Sequence, residues 1–140
     1  MKYFYLSFNE WRKLPKEIKE QYTFLSTAKT HPGDFEGESF MPFVPTRDLF
    51  YDACRNFEES NFDERYKRQI YSLDKEDIKY ELKEYGDIVV FLVWEAENKP
   101  SERDIFIPWL TSTNLKDIKT FSFSRYLENL QNKNNDLFEI

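Results

Sequence analysis

An α/β domain with a small, mostly parallel sheet is what the sequence predicts, on three observations. The run Ile88 to Trp94 is almost unbroken apolar, the pattern of a strand buried on both faces, as in a parallel sheet. Aromatic-rich short segments near the N-terminus, Tyr3 to Phe8 and Tyr22 to Ser26, have strand character. Helical periodicity separates these strand candidates, and strands alternating with helices read as α/β.

Each element has its own reason. Tyr3 to Phe8 suits a first strand, and Lys16 to Gln21 suits a single helical turn after Pro15. Thr27 to Pro45 carries two of the three glycines and three of the six prolines, so it reads as one long loop. Thr46 is an N-cap for a helix to Phe57, whose stripe is Leu49, Phe50, Ala53, Cys54 and Phe57. Asn61 to Glu64 opens a second helix carrying Phe62, Tyr66, Ile70 and Leu73. Asp74 caps a third, with Ile78, Leu82 and Tyr85 inward and Gly86 at its end. After the buried strand, Pro100 and Ser101 start another helix, with Ile105, Phe106, Trp109 and Leu110 inward. Ile118 to Phe123 reads as a final short strand. Residues 1–123 then form the domain, and residues 124–140 a C-terminal helical tail with Tyr126, Leu127 and Leu130 on one side.

Composition narrows the function. The chain has 140 residues, about one domain's length. Its 26 Phe, Tyr and Trp are too many for a disordered chain. One cysteine excludes an intramolecular disulfide framework and a zinc site built on several thiolates. One histidine excludes His-rich metal sites. No cofactor and no metal are expected. A formal charge of −6 makes the chain a poor candidate for the phosphate backbone of nucleic acid and a better match for a basic protein partner. The longest apolar run is seven residues, far short of the roughly 20 that span a bilayer. With no signal peptide read at the N-terminus, a soluble, cytoplasmic protein with no membrane association is expected. Cys54 is then a reduced thiol.

In open α/β sheets the binding crevice lies beyond the carboxyl ends of the strands. That rule marks Ser7 and Phe8, the loop holding His31, and the turn from Trp94 to Arg103. Several segments in this frame resemble one family. They are Arg12-Lys13-Leu14-Pro15 after the first strand, Phe43-Val44-Pro45 before a helix, Phe62 to Leu82, and Asp87 to Leu110. In order and spacing these resemble the domain-of-unknown-function 488 family, which includes the YeaO-like proteins. The resemblance covers roughly Tyr3 to Phe121 and implies a compact Rossmann-like fold. Many members carry a Cys at the end of the buried strand and a Cys-His-Arg triplet before the next helix. Here Val93 stands at the first position and Ser101-Glu102-Arg103 at the triplet, so only the arginine matches, with Glu95 matching nearby. The resemblance therefore implies a fold and a site location more than a reaction.

The candidate ligand-binding residues are Arg103, Glu95, His31, Ser7 and Arg12; no residue is assigned to catalysis. Glu95 and Arg103 flank the turn, and a guanidinium suits a phosphate or carboxylate. A surface salt bridge is the plainer reading of the pair. His31 would need a nucleophile or acid within hydrogen-bonding reach to act as a base, and a solvated loop histidine is its plainer reading. Cys54, on an apolar stripe, reads as buried and inert. The acidic groups at Asp34-Glu36-Glu38, Glu58-Glu59-Asp63-Glu64 and Glu95-Glu97 read first as solvated faces, and alternatively as a surface for a basic groove. Tyr3, Trp11, Tyr51, Tyr71, Phe121 and Phe123 lie off the stripes and suit core filling and an interface, and a homodimer fits the same excess. Asn135-Asp136-Leu137-Phe138 loosely resembles short Leu-Phe docking peptides.

Two functions follow as expectations. One is a small acidic, non-catalytic binding or inhibitory protein, a bacterial or phage accessory, acting through surface contacts on a protein partner. The other is an enzyme or ligand-binding domain for a phosphorylated or nucleotide-like compound, using Arg103, Glu95 and His31. No complete catalytic set is visible, which favours the first.

Overall fold

The computed structural model describes residues 1–138, with side chains to residue 133. The chain is a Rossmann-like α/β domain built on three parallel strands: β1 (Lys2–Ser7), β2 (Thr23–Ser26) and β3 (Ile88–Val93). Their order is β1-β3-β2, so the last strand in sequence is central in space. Ladder bonds on both edges and helices on both faces explain why β3 (IVVFLV) has no polar residue. The pleat divides it. Val89, Phe91 and Val93 face one core with Leu25, Phe43, Tyr66 and Phe106. Val90 and Leu92 face a second core with Phe4, Leu6, Phe8, Phe24 and Phe123.

Parallel strands need crossovers, and helices supply them. Between β1 and β2 lie α1 (Phe8–Arg12), capped by Ser7, and α2 (Lys16–Gln21). Between β2 and β3 come α3 (Arg47–Arg55), α4 (Phe57–Ser60), α5 (Phe62–Tyr71) and α6 (Lys75–Lys83). The expected caps form: the Thr46 hydroxyl accepts from Leu49 N at 3.4 Å, and the Asp74 carboxylate from Asp77 N at 3.1 Å. Gly86 follows α6 at φ +118°, a conformation that glycine tolerates best. Then come α7 (Arg103–Thr111) and α8 (Phe123–Phe138).

Three expectations change. The expected strand Ile118 to Phe123 is instead the end of a 3-10 segment, Leu115–Phe121, with a single parallel bridge from Ser122 to Tyr5. Lys116, Asp117, Lys119 and Thr120 are all exposed, so this stretch has no continuous face to bury. The short helices α1 and α4 were not expected. The tail is not merely appended: Phe123, at its first turn, is fully buried, and Tyr126 packs on Phe4 at 4.5 Å between ring centroids. Among the described residues, no helix is long and apolar enough to cross a membrane. Asn135-Asp136-Leu137-Phe138 lies outside the residues whose side chains are described.

Candidate functional site

A cavity of about 540 Å³ opens beyond the carboxyl ends of β2 and β3, where the topology rule places a crevice. Its apolar wall is Phe50, Phe57, Phe62, Trp94 and Ile105. The wall from α3 was hidden in a stripe read as core. Only Leu49 of α3 is buried in the hydrophobic core, whereas Phe50, Ala53 and Cys54 line the cavity together with Phe57 of α4. Cys54 is therefore exposed, contrary to the expectation of a buried thiol.

The polar lining comes from the start of α7 and the turn before it. Glu95, Ser101, Glu102 and Asp104 line the cavity, with Asp63, Lys29 and Lys67. The Ser101 hydroxyl lies 3.1 Å from Glu95 Oε2 and 3.4 Å from Glu102 Oε2. The Asp104 carboxylate accepts from Ser101 N at 3.1 Å and so closes the first turn. Glu102 is only 8% exposed. Burial, and next the adjacent Glu95 carboxylate, push its carboxyl from an ordinary 4.5 up to about 7; its own backbone, Ser101 and Arg103 oppose this and lose. Tyr66 lies behind it, fully buried, with its hydroxyl donating to Phe43 O at 2.5 Å. Its phenol is held well above the usual range, first by burial and then by Glu102. Among the described residues, no three His, Cys, Asp or Glu groups converge as metal ligands would.

Of the five expected site residues, Glu95 lines the cavity and the other four do not. Arg103 is 1% exposed and donates to four backbone carbonyls: Glu95 at 3.1 Å, Ala96 at 2.8 Å, Glu97 at 3.0 Å and Lys99 at 2.7 Å. Its guanidinium carbon sits 4.7 Å from the centre of the Tyr5 ring. The expected Glu95–Arg103 side-chain pair is thus replaced by a buried arginine that shapes the turn, with its fork turned away from any ligand in the cavity. The Tyr5 hydroxyl and Arg103 Nε are both buried without a hydrogen-bond partner among the described residues. Burial, and then Glu97, raise the Tyr5 phenol to about 12.

Ser7 is buried as the cap of α1, accepting from Glu10 N and donating to Glu10 Oε1, both at 3.1 Å. Arg12 pairs with Asp34, its Nε 3.0 Å from Oδ2, so the guanidinium ties the long loop to α1. Hydrogen bonding to Arg12 lowers the Asp34 carboxyl. His31 is exposed, with its ring 5.4 Å from Phe35, and Phe35 is buried against Phe8 and Trp11. At Phe35 the loop packs on the second core, while Ala28, Lys29 and Thr30, just after β2, line the cavity. Loop chemistry located a functional-looking segment, and its apolar residues decide where each part lies: Phe35 in the second core, Phe40 and Phe43 in the first.

Sequence reasoning missed Ser101 and Glu102 as site groups because they were read as replacements for reactive residues. The available signal was a carboxylate in the first turn of a helix that is otherwise apolar on its inner side. The acidic surface is partly neutralised locally: Asp52 pairs with Arg65 at 2.8 Å, Glu97 with Arg125 at 2.6 Å, and Glu38 accepts from the Tyr85 hydroxyl at 3.0 Å. Of the off-stripe aromatics, Trp11 and Phe123 are core, Tyr3 and Phe121 pack against it, and Tyr51 and Tyr71 are exposed. No family model, no curated protein and no solved structure matches the chain.

Proposed function

We propose that this chain binds a small organic molecule in the strand-end cavity. The molecule's apolar body lies against Trp94, Phe50, Phe57 and Phe62, and a hydroxyl or amine faces Glu95, Ser101 and Glu102. The observation that supports this reading is a compact polar floor within apolar walls, the usual make-up of a small-molecule site. The ligand is not phosphorylated. Four carboxyl groups line the cavity against two lysines, and the one arginine at this turn is occupied with carbonyls. The likeness to the domain-of-unknown-function 488 family supports the location, since Val93, Glu95 and Ser101-Glu102-Arg103 gather at one end of β3. The other expectation, an inhibitory protein gripping a basic partner, has the charge of −6 behind it and no particular arrangement of side chains.

Thermal-shift screening with two compound sets tests the proposal. Unphosphorylated sugars, nucleosides and amines should include compounds that raise the melting temperature, and nucleotides and sugar phosphates should not. Ala53→Trp, which fills the cavity, should remove the rise. A rise with phosphorylated compounds alone, or with none, overturns the reading.

A further inference from the structure

We infer that the cavity selects an organic ammonium, a protonated primary or secondary amine whose N–H groups meet Glu102 and Glu95 and whose carbon body lies along the aromatic wall; the inference rests on the cavity being a small-molecule site.

It starts from a buried carboxyl with too few donors. Glu102 is more than nine-tenths buried, and it lines the cavity. Among the described residues its side chain has one hydrogen-bond partner, the Ser101 hydroxyl, which lies 3.4 Å from Oε2. That hydroxyl also stands 3.1 Å from Glu95 Oε2. It has one proton, so one of the two carboxyls is left without a donor. Glu102 Oε1 has no partner among the described residues in either case. Nor does any Lys, Arg or His nitrogen of the described residues lie within 4 Å of a carboxylate oxygen of Glu95, Glu102 or Asp63. Arg103 is next in sequence, but its N–H groups go to the carbonyls of residues 95–99, and its Nε is 3.8 Å from Asp104. Lys29 and Lys67 line the cavity and reach none of its carboxylates. Burying a carboxylate without donors or counter-charge is costly. A ligand ammonium supplies both at once through charge-assisted N–H bonds, whereas a hydroxyl supplies a donor and no charge.

The walls suit the same ligand. Phe57 is 61% exposed and packs on Phe62 with ring centroids 5.6 Å apart. Phe62 in turn stacks on Tyr66 at 5.6 Å, and Tyr66 is fully buried behind Glu102. The row of rings therefore starts in solvent and ends at the carboxyl floor. Trp94 is 45% exposed, and its indole N–H donates to Thr30 O at 2.7 Å. Its ring also rests on Phe8 at 4.9 Å, so its orientation is fixed from two sides. Aromatic faces attract cations and also accept an apolar body. Rings along the entry and an underbonded carboxyl at the end are complementary to an amine with an alkyl or aryl chain.

The test is calorimetric titration of the full chain at about pH 8, above the value of about 7 to which burial raises the Glu102 carboxyl. Probes of matched skeleton are compared: phenethylamine with phenethyl alcohol, cyclohexylmethylamine with cyclohexylmethanol, and hexylamine with hexanol. In at least one pair the amine should bind about tenfold or more tighter than the alcohol. This comparison uses the unaltered chain and does not depend on whether a variant folds. E102Q should weaken binding of that amine by about tenfold or more. Equal affinity for amine and alcohol in every pair, or an amine bound equally by E102Q and the parent, overturns the inference. So does tighter binding of the peptide acetyl-Gly-Lys-Gly-amide than of every free amine, because the site would then serve a protein's lysine. If neutral compounds raise the melting temperature and no amine outbinds its alcohol, the small-molecule reading stands and the ammonium falls. If nothing binds in either assay, both fall.

Discussion

At the scale of single residues, Arg103 and Glu102 are neighbours in sequence with opposite roles. Arg103 is a fully buried cation whose four acceptors are all backbone carbonyls of the turn 95–99. Removing it would take four hydrogen bonds from those carbonyls and empty a fully buried position, so Arg103→Met should lower stability by about 3 kcal/mol or more, read as a fall in the urea midpoint. Lysine should not rescue it, because an ammonium cannot present the planar fork. An effect below about 0.5 kcal/mol, the size usual for surface changes, would show that the turn holds itself. Glu102 is a buried acid whose folded-state carboxyl is raised, from 4.5 to about 7. The folded protein therefore binds the proton more tightly than the unfolded chain. Stability is highest below the unfolded value and declines as pH rises from about 4.5 to about 7, where the decline is complete. Glu102→Gln cannot ionise and escapes that loss. Its stability relative to the parent should improve by up to about 3 kcal/mol between pH 4 and pH 8. Denaturant melts at the two pH values check this, and a parallel pH response in both proteins would refute it.

At the scale of elements, legibility followed how locally each element is determined. The central strand was evident because both its faces and both its edges are covered, which demands an unbroken apolar run. Helices α3, α5 and α6 were evident from their stripes, and two of them from side-chain caps. The 3-10 segment Leu115–Phe121 was misread as a strand because its apolar residues, Leu115, Ile118 and Phe121, are spaced by three and pack at one end only. Gly86, expected to end α6, lies two residues past its C-cap Glu84, in the turn that leads to β3, at φ +118°. No heavy atom lies within 4 Å of where a Cβ would sit, so the burden of Gly86→Ala is backbone strain alone. That substitution should destabilise by about 1–2 kcal/mol with no change in the cavity, measured by thermal melting together with Cys54 reactivity. A neutral result would show that the turn relaxes to another conformation.

At the scale of the whole molecule, the cavity depends on packing among α3, α4, the start of α5, the loop after β2 and the start of α7. Cys54 on that wall is the only cysteine, which makes it a reporter. It should react with iodoacetamide in the folded protein without denaturant, and Ala53→Trp or a bound ligand should slow the reaction. A thiol that reacts only after unfolding would contradict the open wall. By itself the sequence determined the α/β class, the burial of β3 and the end of the sheet at which a cavity opens, because periodicity and chain direction are local properties. Only the tertiary structure decided which side chains meet there. Arg103 was expected to face a ligand and instead bonds its own turn, because a buried guanidinium must find acceptors and the nearest were the carbonyls of residues 95–99. Arg12 pairs with Asp34 and His31 sets its ring against Phe35, and neither lines the cavity. Glu95, Ser101 and Glu102 came together because α7 begins where β3 ends its turn, a juxtaposition made by the fold of that turn and not by any motif in the chain.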